Sequence, residues 1–241
     1  MGKEAMLEVP KKPCQNTFHF SGESMQELHQ LMSIQTFTAG GMLFNREDTA
    51  GYLFYIMDGE VKIYKETADD KEYVLSFMST GDIFGELNSF TQHRYHFNAV
   101  AEIESKIGVI CNKRLEERME QNPRLSGEFL KWSSMMEQIA RAKLQDLTFY
   151  GKKGAVCSTL IRLVNSYGRQ EGSVVKIKKK LKNGELGSYI GSSRENVNRI
   201  LASLKKEGVI SQEEGCLVIN DLEYLKQASH CENCLPSICR M

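Results

Sequence analysis

The stretch Gly184–Ile210, GELGSYIGSSRENVNRILASLKKEGVI, decides the fold. Leu186 and Ile190 are spaced as the inner face of a short helix, and Gly191 permits a tight turn. Ser192, with Glu195 three positions later, predicts a capping box that starts a second helix. Val197, Ile200, Leu201 and Leu204 form the buried stripe of that helix, and Gly208 ends it. Two helices joined this way are the helix-turn-helix layout, whose second helix enters the major groove of double-stranded DNA. Its exposed face begins with Arg194, Glu195, Asn198 and Arg199. An arginine donates two hydrogen bonds to guanine O6 and N7, and a glutamate accepts from cytosine N4, so these side chains suit base reading. Ser192 and Ser193, at the helix start, complete the candidate DNA-contacting set. The competing reading makes Glu195 and Arg199 an i,i+4 ion pair on a solvated surface. The following VISQEEGCLVIND predicts a β-hairpin wing.

Charge supports the DNA reading although the net charge of the 241 residues is zero. Residues 150–210 carry 13 Lys/Arg against 4 Asp/Glu, while the rest of the chain carries 18 against 27. A basic module is thus joined to an acidic one, the footprint expected of a DNA-binding domain on a sensor domain. A lysine-rich solvated surface, with KIKKKLK as a strand, is the alternative.

Upstream, Thr17 to Cys111 reads as short alternating strands broken by glycines. YLFYIM and VKIYK flank Asp58-Gly59, a dipeptide that favours a two-residue hairpin turn. Regular short strands imply a β-roll or barrel. The period then changes: Leu125, Phe129, Trp132, Met135, Met136, Ile139, Ala142 and Leu147 describe one long helix. An apolar stripe of that length is expected to bury against a second copy, giving a homodimer, or else to pack back on its own barrel. The expected organisation is therefore α+β: a β-roll over 1–118, a dimerisation helix over 119–149, a winged helix-turn-helix over 150–228, and a cysteine-rich tail over 229–241. With 41% hydrophobic and 26% charged residues, no long apolar run and no apolar segment near the start, a cytoplasmic protein without membrane contact is expected. No nucleophile–base constellation, phosphate loop or flavin fingerprint is present, so an enzyme, even an iron-sulfur one, ranks last.

These features resemble the CRP/FNR regulators over nearly the full chain, on GDIFGE at Gly81–Glu86, the register of the long helix and SSRENVNRIL at Ser192–Leu201. The resemblance implies a cyclic-nucleotide-binding-like β-roll, a dimer helix, a winged helix and contact with RNA polymerase. Arg194, Glu195 and Arg199 match the CRP type, which implies a TGTGA-like half-site repeated as a palindrome about one helical turn apart. In CRP-like sites the glutamate of GEL holds the ribose and an Arg-Ser pair ten residues later holds the phosphate. Here Glu86 is kept, but that pair reads His96-Phe97, which supplies no fixed cation and hydroxyl, so cyclic nucleotide is not expected to bind. Arg94 stands nearby, and His93 with His96 is read as loop surface.

Of the seven cysteines, Cys231, Cys234 and Cys239 form C-x2-C-x4-C, a spacing that suits zinc or an iron-sulfur cluster. His230 is adjacent to Cys231 and poorly placed to share its metal, so a fourth ligand must come from elsewhere. FNR oxygen sensors mostly carry their cluster cysteines near the N-terminus, where this chain has only Cys14. The chain instead resembles the Bacillus-type FNR branch, which implies a [4Fe-4S] cluster on the three C-terminal cysteines, completed by an aspartate on or near the dimer helix. Asp146 in AKLQDLTFY is the candidate. The expectation is an oxygen-sensing regulator of anaerobic respiration genes. Zinc in a structural tail of a small-ligand-responsive regulator, or a disulfide or inert tail, are the alternatives.

Overall fold

The computed structural model describes residues 15–67, 71–87, 94–232 and 234–241, so Cys14, His93 and the N-terminal segment lie outside the described residues. The chain divides into two compact units, 15–138 and 139–241.

The first unit opens with α1 (Gly22–Leu31), which starts where Ser21 Oγ accepts a hydrogen bond from Ser24 N. Eight strands follow: β1 (Met32–Phe37), β2 (Met42–Phe44), β3 (Tyr52–Asp58), β4 (Glu60–Glu66), β5 (Glu72–Ser79), β6 (Ile83–Gly85), β7 (Asn98–Ala101) and β8 (Ser105–Cys111). They form two antiparallel four-stranded sheets, ordered β1-β8-β3-β6 and β2-β7-β4-β5. Alternating residues such as Val61 and Ile63 on β4, with Phe44, Phe54, Phe84 and Ile107, fill the core between them. Then come α2 (Asn112–Gln121) and α3 (Pro123–Thr148), the latter crossing the boundary between the units.

The hairpin expected at Asp58-Gly59 does not form: β3 pairs with β6 and β8, whereas β4 pairs with β5 and β7. Gly59, at φ +118°, supplies a positive backbone angle, but the chain uses it to pass from one sheet to the other. Asp82 of GDIFGE is fully buried and accepts hydrogen bonds from the main-chain N–H groups of Asn16 and Ser79. That motif accordingly serves as a structural corner.

The long helix is present, but most of the expected stripe in its first half is already covered within the first unit. Leu125, Phe129, Trp132 and Met135 are buried within the first unit, with Phe129 edge-on to Phe20 and Met136 packed against the sheet core. Ile139, Ala142 and Leu147 are half-buried. The large exposed apolar side chains on α3 are instead Leu130 and Leu144, at 72% and 62% exposure.

The second unit holds α4 (Gly151–Tyr167), β9 (Gly168–Glu171), β10 (Val174–Ile177), α5 (Asn183–Ile190), α6 (Arg194–Lys206), β11 (Ile210–Glu213), β12 (Cys216–Ile219) and α7 (Leu222–Ala228). Its sheet runs β11-β12-β10-β9, with β11 and β12 as the expected wing hairpin. Only Val174–Ile177 is strand in the lysine-rich segment, and residues 178–182 link it to α5.

Candidate nucleic-acid interface and metal centre

Helices α5 and α6 are joined by Gly191, whose φ of 61° and ψ of 47° cap α5 in the left-handed conformation. Lys152 Nζ donates to the carbonyl of Gly191 at 3.0 Å, placing a cation at the helix C-terminus. The approach is close: a Cβ on Gly187 would stand 2.7 Å from the carbonyl oxygen of Ser192. The N-cap of α6 is Ser193, not Ser192, and its Oγ accepts from Asn196 N. Ser192 Oγ accepts from Asn196 Nδ2 at 2.8 Å instead. The capping box expected here does not form; one helix earlier Glu185 accepts from the N-cap backbone, Lys182 N, at 2.6 Å, the reciprocal half of such a box.

Val197, Leu201 and Leu204 turn inward and Ile200 is half-buried, leaving Arg194, Glu195, Asn198 and Arg199 exposed together. Arg199 bonds to Asn196 at 2.8 Å and not to Glu195. The carboxyl of Glu195 is held below its usual range by its own backbone N–H and by the Ser193 hydroxyl. Asn183 donates to Asn198 Oδ1 at 2.5 Å. Sequence reading missed Asn196 and Asn183 because neither matches a recognition pattern; both act by holding a neighbour. The lysines below are partly engaged, with Lys178 paired to Glu171 at 2.6 Å and Lys176 to Glu214 at 3.0 Å.

The second candidate centre lies in a cavity of about 40 Å³ lined by Asp146, Tyr150, Arg162, Cys231, Cys234 and Cys239. The C-terminal turns of α3 bring Asp146, α4 brings Arg162, and the segment after α7 brings the cysteines. His230, at φ +49°, stacks on Tyr150 with ring centroids 4.8 Å apart, and Gln145 bonds to Glu232 at 2.9 Å, so the tail is seated against the end of α3. Burial pushes the Cys239 thiol up to about 11 and raises that of Cys234. The described cysteines are free thiols.

Three soft sulfur donors and one hard carboxylate fit the chemistry of an iron-sulfur or zinc site. Among the described residues, however, no three potential ligands are gathered at metal-binding distances. In the β-roll, Glu86 accepts from His96 N at 3.1 Å and pairs with His96 Nδ1 at 3.1 Å, so His96 engages this carboxylate.

A β-roll followed by a long helix and a winged helix with an exposed recognition face defines a DNA-binding transcription regulator, not an enzyme. Residues 34–122 match the cyclic nucleotide-binding domain family, and residues 154–228 match the Crp-like helix-turn-helix domain. The chain is 39% identical to the anaerobic regulatory protein of Bacillus subtilis over 201 residues, covering 83% of this chain and 84% of that one. It is 29% identical to the CRP-like cAMP-activated global transcriptional regulator of Mycobacterium tuberculosis over 189 residues, 78% and 84% of the two chains. The fold is shared with FixK2 from Bradyrhizobium japonicum, at a TM-score of 0.70 and 18% identity over 82% of this chain and 96% of that one. The chain belongs to the CRP/FNR family. Regulators of this family bind DNA and act as dimers. Among the described residues no helix is long and apolar enough to cross a membrane.

Proposed function

We propose that this regulator is an oxygen sensor in which Cys231, Cys234, Cys239 and Asp146 hold a [4Fe-4S] cluster that controls DNA binding. The observation that carries the reading is that a carboxylate from the long helix and three thiols from the tail line one cavity. The likeness to an anaerobic regulatory protein supports it. When bound, the cluster supplies an oxygen-labile cross-link between the tail and the end of α3. The protein's own residues do the rest. Asp146, Gln145 and Tyr150 fix the end of α3 against the tail, and a fixed α3 favours one orientation of the recognition helices in the dimer.

The functional parts are the β-roll over 1–118, the dimer helix over 119–149, the winged helix over 150–228 and the tail over 229–241. The homodimer forms along α3, where exposed Leu130 and Leu144 occupy equivalent heptad positions. Arg194, Glu195, Asn198 and Arg199, with Ser192 and Ser193, contact a TGTGA-like palindrome in the cytoplasm. The bound dimer meets RNA polymerase at genes of anaerobic respiration. With His96 and Phe97 where a phosphate would need a cation and a hydroxyl, cyclic nucleotide is not its signal.

The test is protein purified without oxygen. The expected result is a brown protein with about four irons per chain that bleaches in air and binds its palindrome more tightly than the iron-free form. Colourless protein holding one zinc, or equal DNA affinity for both forms, would overturn the reading.

A further inference from the structure

Asp146 and Cys239 come from different segments of the second unit, yet one face of α4 holds both from behind. Arg162 is 2% exposed. Its Nε and Nη2 donate to Asp146 Oδ2 at 2.9 and 2.6 Å, and its Nη1 donates to the carbonyls of Ile238 and Arg240 at 3.3 and 3.1 Å. Those two carbonyls flank Cys239. One turn further along α4, Asn165 Nδ2 donates to the carbonyl of Cys239 itself at 2.7 Å, and Ser166 Oγ accepts from Met241 N at 3.0 Å. The i, i+3, i+4 spacing puts all three side chains on one helix face. Both bonds from Arg162 to the aspartate fall on Oδ2, so Oδ1 takes part in neither.

A buried guanidinium cannot lose its proton, and it is costly to bury without an anion. Its place beside three potential thiolates and a carboxylate is therefore informative. Gathering those four donors round one group concentrates negative charge, which a fixed cation offsets.

The geometry points to Arg162 and Asn165 as positioning residues for the cluster ligands: Arg162 grips Asp146 by Oδ2 and leaves Oδ1 to ligate, and the pair pins the main chain around Cys239. The inference rests on the cluster reading given above. Groups that orient a ligand from behind typically change metal retention by about 10- to 100-fold when removed.

Two variants test it. Arg162→Lys keeps a cation but loses the planar fork, and Asn165→Ala removes the bond to Cys239 without touching Asp146. Both, with the unaltered protein, are loaded without oxygen and challenged with an iron chelator while the visible absorption is followed. The expected result is iron loss about 10- to 100-fold faster in Arg162→Lys, with Asn165→Ala in between. The iron-free proteins are then treated with a maleimide. Labelling of Cys239 should quicken in both variants, while Cys157, buried on the same helix, stays protected. Identical iron loss in Arg162→Lys and the unaltered protein would overturn this proposal alone, whereas an unaltered protein that takes up no iron would overturn the cluster reading with it. If quickened Cys157 labelling shows that Arg162→Lys has lost its fold, Asn165→Ala decides: unchanged iron loss and unchanged Cys239 labelling would sink the proposal.

Discussion

Asn196 holds Arg199: its side-chain Oδ1 accepts from Arg199 Nη2 at 2.8 Å along the exposed face of α6. Asn196 is itself tied to Ser192 at 2.8 Å, so the arginine is steadied by the same turn that starts the helix. A preset arginine loses less rotamer freedom when it meets a base. Arg199→Ala should weaken operator binding by about 1–3 kcal/mol and relax the preference at one guanine. Asn196→Ala should cost less and keep the preference. Competition binding across single-base operator variants measures both, and an unchanged preference in Arg199→Ala would return Arg199 to the solvated surface.

The lysine-rich link between β10 and α5 should contribute unevenly. Lys178 is already paired with Glu171, whereas Lys180 lies beside Gly215 in the wing turn. Lys180→Ala should weaken binding to all sequences alike and lower the salt slope by about one, as for a lost phosphate contact. Lys178→Ala should change the slope less. Titrations at several salt concentrations decide, and a larger effect at Lys178 would show that its pair with Glu171 opens on DNA.

The recognition helix was legible because its signals are local: an apolar stripe at helical spacing, a left-handed glycine and a serine cap are all fixed by neighbouring residues. The cap was misplaced by one residue because Ser192 and Ser193 are chemically equal, and only the bond from Asn196 N separates them. The β-roll's existence was legible but its pairing was not. Asp58-Gly59 favours a hairpin locally, yet β3 finds β6 and β8 as partners far along the chain. For the same reason the sequence offered Asp146 only through a family resemblance, and gave no sign of Arg162. An arginine in a helix carries no pattern that says it is buried or which carboxylate it will meet.

Gly59 turns the corner between the two sheets, and a Cβ there would stand 2.1 Å from Ser105 Oγ. That oxygen also accepts from Glu60 N at 3.2 Å. Gly59→Ala should therefore destabilise the first unit by about 1–3 kcal/mol, the cost of forcing a side chain into this backbone region plus the displaced serine. Denaturant unfolding measures it. Adding Ser105→Gly should recover part of the loss, and no loss in the single variant would mean that the corner rearranges freely.

Lys143 gives a pH dependence with a definite sign. Its Nζ lies 3.4 Å from the ring centroid of Tyr189, a contact that favours the ammonium, yet burial, with the Arg162 charge adding, pulls its pKa from 10.5 down to about 7. Between those two values the unfolded chain binds the proton that the folded chain has released, so the lysine's penalty shrinks as pH rises and is full below about pH 7. Replacing it with methionine, similar in volume and without the charge, removes that penalty. In the iron-free protein Lys143→Met should raise the unfolding midpoint most at about pH 6, with a smaller gain at about pH 9. A gain that is flat with pH, or a loss at both, would show that the Tyr189 contact outweighs burial and that Lys143 stays charged in the folded protein.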